Sequence, residues 1–223
     1  MIRRMPWFKD GQISRPVYIV ASPYKTATTT VGEALVTLGA GKKDMRYKAG
    51  LIKKYADPIR TLNREIKRKT DFDDWLAANE TRVCQMLAGF TAHVAPFDIF
   101  SDAPFGHTQL HPFIRKAIAP KARFIWVNRP KDAWLASVRK WELSHPETYP
   151  KHDLWHTDPE AKIEMLMKRR RRQRLQFKAL ADARPDDCLT MHIDDLKTYD
   201  VLADFCGVPV PSAPVPRSNV SRS

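Results

Sequence analysis

The residues best equipped for chemistry lie in one short stretch, Ser22-Pro-Tyr-Lys25-Thr26-Ala27-Thr28-Thr29-Thr30, which follows an apolar β-branched run and opens a helical pattern. A strand that enters a helix through such a turn aims backbone N–H groups and the positive end of the helix dipole at one point, which makes an anion site. Lys25 adds a mobile positive charge, and the Thr hydroxyls add donors that rotate onto a tetrahedral oxyanion. Thr30 serves equally well as a simple helix cap. The chemistry expected here is that of a phosphate or sulfate cradle. Arg129, closing a second apolar run at 123–127, presents a planar fork of donors suited to a terminal phosphate. One guanidinium cannot neutralise a dianion, so further donors are expected elsewhere.

The elements that must position these groups follow from periodicity and punctuation. Residues 17–21 read as a buried strand and about 29–38 as its following helix, ending near Gly39. A basic helical region spans 44–70, interrupted at Asp57-Pro58, and Asp71 is a plausible N-cap for a helix carrying Trp75 and Leu76. Strands are expected at 97–100, 123–127 and 189–193. Helices are expected over about 109–119, from Pro130 as first helical residue, over 159–183, and after Asp194 or Asp195 up to a left-handed cap at Gly207. Strands separated by helices imply a parallel sheet of about four or five strands in a three-layer α/β/α fold. Such sheets bind ligands beyond the carboxyl ends of their strands, and the loops 22–30, 101–107 and 128–130 all fall there.

Composition sets the frame. The 223 residues suit a single α/β domain over 1–223, with a basic arm at 1–15 and a Pro-rich tail at 208–223. The net charge of +13 fits either a solvated basic surface or the steering of a polyanionic ligand into a positive cleft. Three scattered cysteines, Cys84, Cys188 and Cys206, form neither a disulfide framework nor a metal spacing, and fit a reducing compartment. No secretory leader and no run of membrane-spanning length is visible, so a cytoplasmic protein is expected.

With these residues in place the chain resembles the nucleotide-dependent sulfotransferases. Pro23-Tyr-Lys25-Thr26-Ala27-Thr28-Thr29 is similar to their first signature, which holds the 5′-phosphosulfate of 3′-phosphoadenosine 5′-phosphosulfate (PAPS). Arg129-Pro-Lys-Asp132, with Ser137 eight positions after the arginine, resembles the second, which binds the 3′-phosphate. The resemblance covers most of 17–216, with the two signatures about a hundred residues apart. Many family members carry Gly where Ala27 stands; a positive φ there would cost this chain on the order of 1 kcal/mol. Some glycan sulfotransferases are similar in having K-T-A followed by hydroxyl residues. The resemblance implies PAPS as donor, adenosine 3′,5′-bisphosphate as product and no metal. Phe100-Ser-Asp102-Ala-Pro104 resembles the segment that holds the family's general base, which places that role at Asp102. Asp102 otherwise reads as an N-cap or a hydrogen-bonded turn residue. His107, five residues on, is the reserve base, with His111 behind it. Arg217 resembles part of a C-terminal segment that folds back over the nucleotide.

The chemistry these residues would perform is sulfuryl transfer to a hydroxyl or, second, an amine, with positioning and electrostatics as the main means. Lys25 would stabilise the bridging oxygen, and Asp102 would take the acceptor's proton. Trp134 and Trp141, at helical spacing around Ser137, read as core before adenine-stacking groups. His145, His152 and His156 show no metal spacing. The run Lys168-Arg-Arg-Arg-Arg172-Gln-Arg174 wraps around a helix, so part of it must face water. The remainder suits a groove for an acidic substrate better than nucleic acid, for which interleaved aromatics are lacking. The acceptor, a small molecule or glycan that the basic balance allows to be acidic, has no readable motif, nor does the oligomeric state. Two rivals stand beside this reading. One is a kinase using ATP and Mg²⁺ through Lys25 with Asp102 or Asp194, although the Gly-x-x-x-x-Gly-Lys order is absent. The other is a basic binding protein on the same fold without catalysis.

Overall fold

The computed structural model describes residues 6–107, 110–148 and 153–216. Two short strands, β1 (Phe8–Lys9) and β2 (Gln12–Ile13), form a hairpin inside the basic arm. After it come β3 (Val17–Val20) and α1 (Thr28–Thr37), then α2 (Ala49–Lys54), α3 (Ala56–Ile66) and α4 (Phe72–Val94). The remaining elements are β4 (Ile99–Phe100), α5 (Pro112–Ile118), β5 (Ala122–Asn128), α6 (Lys131–Leu143), α7 (Leu154–Thr157), α8 (Pro159–Ala183), β6 (Cys188–His192) and α9 (Asp200–Cys206). Strands β3 to β6 make a four-stranded parallel sheet in the order β4-β3-β5-β6. The expected α/β fold is therefore present, with four strands in the parallel sheet among the described residues.

The pleat of β3 shows why helices cover both faces. Val17 and Ile19 point into a core shared with Leu62, Leu87, Phe90, Ile114 and Phe177, contributed by α3, α4, α5 and α8. Tyr18 and Val20 point the other way, onto Val31 and Leu35 of α1 and Leu202 of α9. A strand buried on both sides reads as a continuous apolar run, as 17–20 does.

Several boundaries moved for physical reasons. The break in the 44–70 region falls at Tyr55, while Pro58 sits in the first turn of α3, where a missing N–H is harmless. Residue Asp44 is extended beside Ile99. Pro130 is the N-cap of α6, not its first helical residue, because its ψ of 142° is still extended. The expected strand at 97–100 is shortened to two residues. The helix expected from 109 begins at Pro112. After β6 the chain makes a 3₁₀ turn over Ile193–Lys197, and the last helix starts only at Asp200, ending at left-handed Gly207 (φ 69°). Asp71 does cap α4, accepting from the Asp74 N–H at 2.9 Å.

Candidate functional site

Three loops leave the same edge of the sheet: 21–27 after β3, 101–107 after β4 and the Arg129 turn after β5. The first is built around a backbone that doubles back on itself. Lys25 (φ 64°) and Ala27 (φ 63°) are both left-handed, and turns of this kind gather N–H groups into an anion-binding concavity. Thr26 between them is fully buried, its Oγ1 donating to the Pro23 carbonyl at 2.7 Å and lying 2.9 Å from Ser22 Oγ. Its hydroxyl thus braces the turn. Ala27 is the N-cap of α1, and no side chain caps the helix or places an acid in its first turn. The first N–H groups of Thr28, Thr29 and Thr30 therefore face the concavity without an intrahelical acceptor. The side chains of Thr28 and Thr30 are buried and that of Thr29 is half-buried.

The turn is tied to the second signature. Arg129 Nη1 donates to the Lys25 carbonyl at 2.8 Å, so the two cations that sequence places a hundred residues apart are neighbours. Burial lowers the pKa of both, and the Arg129 charge lowers that of Lys25 further. Neither is in an ion pair among the described residues. Lys25 Nζ lies 5.5 Å from the centroid of the half-buried Trp141 ring. Ser137 is half-buried and sits in the second turn of α6, the helix that follows the Arg129 turn. Trp134 is core, with its Nε1–H donated to the Tyr24 carbonyl at 2.9 Å.

Behind the turn lies a buried polar network. Tyr24 O–H donates to Glu142, whose other oxygen accepts from Trp155 Nε1 at 2.6 Å and from Lys162 Nζ at 2.8 Å. Lys162 also holds Asp153 at 3.0 Å. Burial alone would lower the Lys162 pKa, but the two carboxylates raise it, so the ammonium stays charged. From α8, Arg170 donates to the Arg129 carbonyl and stacks over Trp134 at 4.8 Å. Sequence reasoning did not single out Tyr24, Glu142, Lys162 or Arg170. Within the 168–174 run, helical phase could have separated Arg170 from its neighbours, but not said which neighbour it meets.

In the 101–107 loop, Asp102 and His107 come together. His107 Nε2 lies 3.1 Å from the Ser101 carbonyl and 3.3 Å from Asp102 Oδ1. A carbonyl only accepts, so Nε2 carries the proton. Burial lowers the His107 pKa, opposed by Asp102 and aided by Arg115 and Arg169. Asp102 is half-buried, and its Oδ1 also accepts the Ala103 N–H at 2.6 Å. The loop closes on Gly106, where a Cβ would lie 2.5 Å from the Phe100 and Asp102 carbonyl oxygens. His107 N donates back to the Val20 carbonyl at 2.8 Å, which fixes this loop against the start of the lysine turn.

His111 is buried beyond this corner, with a pKa lowered to about 3 by burial and by the charges of Arg115 and Lys67. Asp194 is exposed and paired with His192 and Lys197, each at 3.0 Å. Arg217 and His152 lie outside the described residues. Among the described residues no group of acidic, His and Cys side chains has the arrangement of a metal site, and no helix is long and apolar enough to cross a membrane.

No curated protein matches the chain. A family model described as a sulfotransferase domain matches residues 18–179, which takes in the lysine turn, the 101–107 loop, the arginine turn and most of α8. On that match, and with both signatures meeting on one rim of a parallel sheet, the chain belongs to the sulfotransferase domain family.

Proposed function

We propose that this protein transfers a sulfuryl group from PAPS to a hydroxyl, or less readily an amine, of an acceptor in a reducing compartment. The observation that carries the reading is the meeting of Lys25 and Arg129, two desolvated cations without an acid partner among the described residues, at the uncapped start of α1. Such a place is unfavourable until an anion fills it, and a donor with a phosphosulfate at one end and a phosphate at the other has the matching charges. PAPS supplies an SO₃ group on a good leaving phosphate. Within the site, the N–H groups of Thr26 to Thr30 would hold the phosphosulfate oxygens. Lys25 would meet the bridging oxygen as the S–O bond to phosphate breaks, and its lowered pKa strengthens it as a donor. Arg129 and Ser137 would hold the 3′-phosphate, with Arg217 as a further donor.

Asp102 would accept the acceptor's proton as the new S–O bond forms. The Ala103 N–H already occupies Oδ1, and His107 Nε2 lies 3.3 Å from that same oxygen, so Oδ2 is the oxygen to which the proton would go. His107, buried and donating through Nε2, is better suited to orienting this carboxylate than to taking the proton itself. The test is thermal shift of the full chain. Stabilisation by adenosine 3′,5′-bisphosphate without Mg²⁺ is expected. A requirement for ATP with Mg²⁺ would favour the kinase reading, and indifference to both would favour a binding protein.

A further inference from the structure

A second concentration of positive charge lies beyond the Asp102–His107 corner, between α3 and α8. A cavity of about 330 Å³ is lined there by Asn63, Lys67, His111, Arg169, Arg172 and Gln173 among others. A neighbouring cavity of about 410 Å³ runs on along α3, sharing Asn63 and Lys67 and adding Arg60, Arg64 and Arg68. Among the described residues no carboxylate lines either one. The volumes suit a small ligand or a few sugar units. Lys67 has its pKa lowered by burial and by the charge of Arg172 across the cavity. The floor is His111, 2% exposed, with neither ring nitrogen hydrogen-bonded among the described residues. Behind it Arg115 is equally buried, with Nε and Nη1 unpartnered and Nη2 given to the His107 carbonyl.

Helix α8 forms the wall common to this cavity and the site already described. Arg169, Arg172 and Gln173 share one face of the helix, at offsets of three and four, and reach the cavity. Arg170, a hundred degrees round, instead contacts the Arg129 turn. Arg169 is also near enough to act on His107. From this we infer that the α3–α8 cavity receives the acceptor, and that the acceptor is a polyhydroxylated anion such as an acidic sugar. This rests on the sulfuryl-transfer reading above. The anionic group would relieve the mutual repulsion of Lys67, Arg169 and Arg172, which a neutral acceptor leaves unrelieved. Asn63, whose Oδ1 accepts the His111 N–H at 2.9 Å, and Gln173 add amide groups to the lining. The absence of Phe, Tyr and Trp from the lining argues against stacked bases.

The full chain, saturated with adenosine 3′,5′-bisphosphate at low salt, is titrated calorimetrically with a hyaluronan octasaccharide, a polygalacturonate octamer, neutral maltooctaose and a twelve-residue oligo(dT). The Lys67→Gln/Arg172→Gln variant is titrated alongside. Both substituted side chains are solvent-accessible, and unchanged nucleotide affinity in the variant certifies its fold. The expected result is binding of at least one of the two uronate chains, weakened about tenfold or more in the variant, and no binding of maltooctaose. Binding of neither uronate chain, equal binding by the variant, equal binding of maltooctaose, or tighter variant-sensitive binding of oligo(dT) overturns the assignment. Failure of the wild type to bind adenosine 3′,5′-bisphosphate is a separate readout: it removes the sulfuryl-transfer reading, and the role of acceptor with it.

Discussion

Lys25 and Arg129 differ in what their removal should do, although they touch. Lys25→Ala is expected to abolish transfer while leaving much of the nucleotide affinity. Arg129→Ala should chiefly raise the dissociation constant for adenosine 3′,5′-bisphosphate, by tenfold or more. Turnover and binding measured on both variants check this, and equal effects on both quantities would refute the division of roles. Asp102→Asn should lower kcat by about a hundredfold or more with nucleotide affinity intact, in line with the usual worth of a general base. Ala27 is a different kind of residue: its φ of 63° is the left-handed geometry that glycine adopts freely. Ala27→Gly should stabilise the fold by about 0.5 kcal/mol in a urea titration, relief of the backbone outweighing the entropy added to the unfolded chain. At this scale the turn's place was legible, since Lys-Thr-Ala-Thr falls between an apolar β-branched run and a helical pattern, and the chain does pass there from β3 into α1. That the Thr26 hydroxyl turns inward was not, because nothing in the sequence reveals which hydroxyls a tight turn consumes for itself.

Strands and long helices could be read closely because β3 and β5 each carry an apolar run and α8 opens on Pro159 and holds no further Pro or Gly. Short elements could not. The hairpin at 8–13 has no hydrophobic run, only a turn through Asp10 and Gly11 and long-range bonds, such as that from Gln12 Nε2 to the Ala117 carbonyl at 2.9 Å. Helix α7 is a single turn whose Trp155 answers a carboxylate on α6. The network joining α6, α7 and α8 to Tyr24 makes a prediction at this scale. Lys162→Met would leave Glu142 buried without its counter-ion, at a cost of roughly 3 kcal/mol in urea unfolding. Because Glu142 also accepts from Tyr24, one residue before Lys25, nucleotide affinity should fall as well. An unchanged affinity in a folded Lys162→Met protein would show that the network does not steady the turn.

Across the whole molecule, the net charge of +13 is distributed unevenly. Much of it converges on the sheet edge and the α3–α8 cavity, so nucleotide binding should weaken as salt rises through physiological strength. The same crowding makes the fold sensitive to acid. His111 stays neutral in the folded chain down to about pH 3, whereas in the unfolded chain it protonates below about 6.5. Between those values the unfolded state binds the extra proton, so stability must fall as pH falls, by at most about 1.4 kcal/mol per unit from this group. A melting-temperature profile from pH 7 to 4 should slope accordingly, and His111→Phe should flatten it. The hydrogen bond from Arg129 to the carbonyl of Lys25 makes an interlock of the two signatures. One N–H of the guanidinium goes to that carbonyl and the others remain for an anion, so an anion drawn to Arg129 would be held beside the peptide that carries the ammonium. On the proposed reading, occupancy of the far subsite would thereby be felt at the reacting one, and a double-mutant cycle on these positions should depart from additivity in nucleotide affinity.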